Sequence, residues 1–253
     1  MTSQTTPQLG TLYLIPNTLG VYGTDGAQDS LRAVLAPQVV ETTARLQHFV
    51  VETAKVARQF LKAVGTQTPL QQLQLTELNV KTPDSAVNDM LAPLLAGHDV
   101  GLLSDAGCPA VADPGARLVE AAHAAGVRVV PLVGPSSLLL ALMGSGLNGQ
   151  KFAFHGYLPI DAATRLKELK RLESESKNHA QTQLFIETPY RNMQLFDTLL
   201  KNLNPNTKLC VAVDLTLPSE LIRTRTVAAW REALKKDAGF DLNKRPSIFL
   251  FLA

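Results

Sequence analysis

The chain has 253 residues, 45% of them hydrophobic, a formal charge of +2 and two cysteines, enough apolar material for one long domain or two joined α/β lobes. Its longest apolar stretch, Leu138 to Met143, is far shorter than the roughly 20 residues of a membrane span. Met1 to Gly10 has no basic-then-apolar leader pattern, and Cys108 and Cys210 are too few and too far apart for a disulfide framework. A soluble, cytoplasmic protein in a reducing compartment, without membrane attachment, is therefore expected. The charge is uneven, with 8 Lys and Arg against 11 Asp and Glu in residues 1–150, and 16 against 11 in residues 151–253. A basic second half suits RNA, but an excess of this size is more often an ordinary solvated surface.

In chain order, Leu12 to Ile15 reads as a strand that ends in Pro16-Asn17-Thr18-Leu19-Gly20, a loop of structure-breaking residues. The spacing of Ala54, Ala57, Phe60, Leu61 and Val64 predicts a helix over Val51 to Val64, closed by Gly65. Thr82 to Ser85 leads into a second helix, Val87 to Ala96. Val100 to Leu103 is a short apolar strand that empties into Ser104-Asp105-Ala106-Gly107-Cys108-Pro109, where polar groups and a glycine allow something to be held closely. Asp113-Pro114 reads as an N-cap acid and first helical residue, and Gly126 as the stop before a strand, Val127 to Leu132. Ser136-Ser137 follow a Gly-Pro turn and begin another helix, for which capping or donation to a ligand is expected.

Asn148-Gly149 breaks the pattern, which predicts an N-terminal α/β domain over 1–148 and a C-terminal one over 149–253. In the second, Phe152 to Phe154, Leu184 to Glu187, Leu209 to Val213 and Ile248 to Leu252 read as strands, and Asn192 to Leu203 and Val227 to Lys236 as helices. A charged segment of alternating sign runs from Ala162 to Lys177.

No G-x-G-x-x-G follows a strand and no P-loop occurs, which argues against a standard dinucleotide site and against nucleotide hydrolysis. His48, His98, His123, His155 and His179 lack metal-ligand spacing, so no metal is expected.

Several of these segments occur in one order: Leu12 to Ile15 with its Pro16 loop, Ser104 to Pro109, Asp113-Pro114-Gly115 and Gly134-Pro135-Ser136. Phe154-His155-Gly156-Tyr157-Leu158-Pro159 and Phe185-Ile186-Glu187-Thr188-Pro189-Tyr190-Arg191 follow. Together they resemble the tetrapyrrole methylase-type, or class III, S-adenosylmethionine-dependent methyltransferases. The branch they are most similar to methylates a ribose 2′-hydroxyl of small-subunit ribosomal RNA.

The resemblance implies two α/β domains with S-adenosylmethionine in a cleft between them, a homodimer, and ribosomal RNA or the small ribosomal subunit as partner. It maps donor contacts onto Pro16, Asp105, Cys108, Ser136, Ser137, Leu138, Ile186 and Ala212. A carboxylate such as Asp105 independently suits the donor's ribose hydroxyls or its ammonium group, the alternative being an Asx cap of its own turn. Methyl transfer needs mainly alignment, since proximity alone can supply on the order of 7 to 11 kcal/mol. If a base assists, Glu187 is the candidate with Asp105 behind it, the alternative for Glu187 being a salt bridge to Arg191.

The chain departs from the branch at four places. Val51-Glu52-Thr53-Ala54-Lys55 stands for A-E-D-T-R, Val213-Asp214-Leu215-Thr216-Leu217 for R-E-L-T-K, Lys244-Arg245-Pro246 for K-G-E, and Asn17-Thr18-Leu19-Gly20 for T-P-I-G. RNA as acceptor draws on Arg223, Arg225, Arg231, Lys235 and Lys236. The lost charges favour a small molecule such as a tetrapyrrole, or a modified protein side chain. A donor-binding protein without catalysis is the third reading.

Overall fold

In the computed structural model, residues 8–20, 27–236 and 239–253 are described; most of the Met1 to Gly10 stretch lies outside them. The contacts divide the chain into two compact units, residues 1–136 and 137–253. The sequence break at Asn148-Gly149 falls after the helix that opens the second unit.

The first unit runs β1 (Thr11–Ile15), α1 (Ala27–Val34), α2 (Pro37–Arg45), β2 (His48–Val51), α3 (Ala54–Val64), β3 (Gln74–Glu77), α4 (Asp84–Asp89), α5 (Ala92–Leu95), β4 (Val100–Leu103), α6 (Ala116–Ala124) and β5 (Arg128–Pro131). Its strands form a parallel sheet in the order β3-β2-β4-β1-β5. Parallel strands are buried on both faces, which is why β4 is apolar throughout. On one face Ile15, Phe49, Val51 and Leu103 pack under α1, α2 and α3 through Leu31, Val39 and Phe60. On the other, Leu12, Val50, Val100 and Leu102 pack under α4, α5 and α6 through Val87, Leu94 and Leu118. The chain thus leaves β1 and β2 over one face and β3 and β4 over the other. Because β4 lies beside β1, the connections part at the carboxyl ends of these two strands, the switch point where open α/β sheets form a crevice.

Three local expectations change. Val51 ends a strand rather than opening a helix, because it pairs with Leu103 on β4, and α3 begins at Ala54. The helix expected over Val87 to Ala96 is two short ones, since Pro93 has no N–H to continue the first. Asp113 is not an N-cap: its carboxylate accepts the N–H of Ala110 (2.9 Å) and of Gly115 (2.7 Å), and Pro114 and Gly115 form a turn before the helix proper starts at Ala116.

The second unit runs α7 (Ser137–Ser145), β6 (Phe152–Tyr157), α8 (Ala162–His179), β7 (Thr182–Ile186), α9 (Asn192–Asn202), β8 (Lys208–Val213), β9 (Leu221–Thr226), α10 (Val227–Lys236) and β10 (Ser247–Leu252). Its sheet has the order β6-β7-β10-β8-β9, with β6 and β7 parallel and the other neighbours antiparallel. Phe185, Val211, Val213, Phe249 and Phe251 form a core with Leu169 and Leu172 of α8, Phe196 and Leu199 of α9 and Trp230 of α10. Trp230 stands edge-on to Phe196 at 5.2 Å and donates its indole N–H to Leu209 O at 2.8 Å. The charged segment is the longest helix, α8, capped by Asp161, whose carboxylate accepts the N–H of Thr164 at 2.8 Å. The opposite face of the sheet lies under α7, where Thr224 Oγ1 donates to Ser145 O at 2.6 Å. Among the described residues no helix is long and apolar enough to cross a membrane.

Candidate functional site

In the first unit the loops after β1, β4 and β5 meet at the switch point. Pro16, Asn17 and Thr18 are buried. Asn17 does most of the joining: its side-chain amide donates to Ser104 O (3.2 Å) and Asp105 O (3.1 Å), and its backbone N–H to Gly107 O (2.8 Å). Gly107 N–H returns to Thr18 O at 3.3 Å. The turn after β5 closes in just as tightly, since a Cβ on Gly134 would stand 2.3 Å from the ring of Pro16. Cys108 Sγ lies 3.4 Å from Pro135 O. Pro16, Asp105 and Cys108 are therefore held together with the Gly134-Pro135 turn that leads into Ser136.

A fourth loop, after β2, completes the cluster. Thr53 Oγ1 donates to Asp105 Oδ2 at 2.8 Å, and Asp105 N–H donates to Glu52 Oε2 at 3.0 Å. The Asp105 carboxylate thus reaches across to β2 instead of capping its own turn, and its Oδ1 takes no hydrogen bond among the described residues. Burial raises the Glu52 carboxyl above its ordinary value; the Asp105 N–H opposes this, and the charges of Asp105 and Asp113 add to it. Asp113 is raised chiefly by burial, against the N–H groups of Gly115 and Ala110 and the Ser104 hydroxyl. Burial also pushes the Cys108 thiol up, so at neutral pH Cys108 is a neutral wall and not a thiolate nucleophile. The linear sequence does not connect Asn17 or Thr53 to Asp105. Residues this far apart are paired only by the β4-β1 and β4-β2 neighbourhoods, although a polar residue inside the structure-breaking loop after β1 was a signal for Asn17.

In the second unit Ser137 and Leu138 are the first residues of α7. Ile186 of β7, Ile248 of β10 and Ala212 of β8 are register neighbours in one row. The row continues to Ile222 of β9, against which Gly144 of α7 packs. Ile186 and Ala212 therefore share the α7 face of the sheet. Glu187, just beyond β7, is only 8% exposed. Its Oε1 accepts Arg191 Nη2 (2.6 Å) and Nε (3.0 Å) and the N–H of Thr188 (2.6 Å). Of the two readings of Glu187, the salt bridge is the one this geometry holds. Among the described residues no group of three His, Cys, Asp or Glu side chains is placed to hold a metal ion.

Residues 23–229 match the family Tetrapyrrole (Corrin/Porphyrin) Methylases. The chain belongs to this family. Among similar proteins, "Ribosomal RNA small subunit methyltransferase I" of Xylella fastidiosa is 30% identical over 243 residues, 96% of this chain and 81% of that protein. The protein of the same name from Mesorhizobium japonicum is 34% identical, over 86% of this chain and 68% of its own length. Of solved structures, the methyltransferase CobJ has a TM-score of 0.60 at 18% identity, covering 95% of this chain and 93% of its own. Uroporphyrin-III-C-methyltransferase from Thermus thermophilus has a TM-score of 0.51 at 19% identity, covering 96% and 92%; these two likenesses show the fold. As a tetrapyrrole methylase the protein is an S-adenosylmethionine-dependent methyltransferase. The residues at its switch point fit such a donor: a half-buried carboxylate with one oxygen that takes no hydrogen bond among the described residues, neutral Pro16 and Cys108 near it and no thiolate to be alkylated.

Proposed function

We propose that this methylase transfers a methyl group from S-adenosylmethionine to a ribose 2′-hydroxyl of small-subunit ribosomal RNA, acting in the cytoplasm as a homodimer. The likeness to the Xylella fastidiosa relative carries this reading, because it runs through 96% of this chain. The donor supplies a methyl carbon already activated by a sulfonium. Asp105 Oδ1 accepts from its ribose hydroxyls or ammonium, and Pro16, Cys108 and Ser136 border it. Aligning the acceptor hydroxyl with the methyl carbon supplies most of the acceleration. We assign Glu187 to holding the turn that follows it rather than to removing a proton, since Arg191 and Thr188 already engage its Oε1. Leu139 and Met143 support the homodimer: they lie one turn apart on α7 and are 52% and 78% exposed.

Calorimetric titration with S-adenosylmethionine tests the donor site. Wild type binds in the micromolar range, and Asp105→Ala weakens binding about tenfold, or about 1.4 kcal/mol. Equal binding by both proteins removes Asp105 from the site.

A further inference from the structure

The second unit leaves Tyr157 (58% exposed), Ile160 (71%) and Tyr190 (77%) in solvent where the parallel pair β6 and β7 ends. Single exposed apolar residues are ordinary, but both tyrosines are set in place by built structure. At Tyr157 the strand is bulged: Phe154 pairs with Leu184 and Tyr157 with Ile186, so three steps along β6 answer two along β7. The extra step passes through Gly156 at φ +63°, where glycine is favoured, and bulges of this kind re-aim a side chain.

At Tyr190 the corner from Thr188 to Arg191 is closed by Arg191 N–H to Thr188 O at 2.9 Å. Buried Glu187 grips both ends of that corner through one oxygen. A second loop braces it, with Lys244 N–H on Pro189 O (3.0 Å) and Asn192 Nδ2 on Arg245 O (2.6 Å). A corner fixed by a buried ion pair and a bracing loop, with its tyrosine outside, is an aromatic platform whose ordering cost is met before anything binds. The cations around it are unequal. Arg191 is held by Glu187 and Arg245 by Asp214 (2.8 Å), while Lys244 is exposed and makes no ion pair among the described residues.

Separate, solvent-facing aromatic rings with an unpaired cation match flat bases and a phosphate, the chemistry of single-stranded nucleic acid. Resting on the RNA-acceptor reading above, we propose that this end of the second unit holds an unpaired stretch of the RNA, with Tyr157 and Tyr190 stacking on bases and Lys244 meeting a phosphate.

Fluorescence anisotropy of the full chain tests this with a fluorescein-labelled ten-nucleotide single-stranded RNA and a duplex of the same sequence. Wild type prefers the single strand. Tyr157→Ala and Tyr190→Ala each weaken it about tenfold, and Tyr190→Phe stays within about twofold. Lys244→Gln lowers the salt slope by about 0.7, whereas the tyrosine variants leave the slope unchanged. S-adenosylmethionine titration, equal in all variants, verifies that each is folded. If wild type binds the single strand and both alanine variants stay within about twofold of it, the platform is refuted and the RNA-acceptor reading stands. If wild type binds neither RNA, both fall. A tyrosine variant that sediments as a monomer where wild type is a dimer gives the surface to a second copy and also overturns the proposal.

Discussion

Asp105 is held by two different groups from one loop, its carboxylate by Thr53 Oγ1 and its N–H by Glu52 Oε2, and the two holds have separable consequences. Thr53→Val removes a donor to a carboxylate while keeping the shape of the side chain. It should weaken S-adenosylmethionine about tenfold, about 1.4 kcal/mol, with Thr53→Ser restoring most of the loss in the same titration. Glu52 bears on stability through pH. Its folded carboxyl is raised above the ordinary 4.5, so its contribution is fully present below that value and is lost as pH rises through the raised one. Glu52→Gln keeps an acceptor for the Asp105 N–H and removes the charge next to Asp105 and Asp113. Its melting temperature should exceed that of wild type at about pH 7, with the gap closing as pH falls toward 4.5. A gap that stays constant with pH would show that Glu52 does not titrate against these neighbours.

At the scale of elements, the contact between the β1 and β5 loops is the tightest at the switch point. Gly134→Ala places a methyl 2.3 Å from Pro16, an overlap only a backbone shift relieves. It should cost about 1–3 kcal/mol in denaturant unfolding and weaken donor binding as well. Elements with a single strong period were legible in the sequence: β4 and α10 lie where apolar runs and spacing place them. Failures came where two kinds of order abut. Val51 fits the helical spacing of α3 but belongs to β2 because β4 needs a partner there. β9, Leu-Ile-Arg-Thr-Arg-Thr, alternates too weakly to be read as a strand; it is an edge strand, ordered by β8 and α7. The site was legible in the same uneven way. Motif order marked the β1 and β4 loops, whereas the role of Thr53 exists only once β2 and β4 are neighbours.

For the whole molecule, two units each carry their own sheet and core, and the family membership extends across both. An exposed apolar pair on α7 predicts association: Leu139→Glu with Met143→Glu should reduce the mass measured by light scattering from twice 27.3 kDa to 27.3 kDa. Unchanged mass would move the interface elsewhere. The most direct measurement is methyl transfer itself, with tritiated S-adenosylmethionine, the purified protein and undermethylated small-subunit RNA. Label is expected in RNA as dinucleotides that resist alkaline hydrolysis, because a methylated 2′-oxygen no longer attacks its neighbouring phosphate, and that label is lost with Asp105→Ala. Donor bound with full affinity and no label in the RNA would contradict the RNA-acceptor reading.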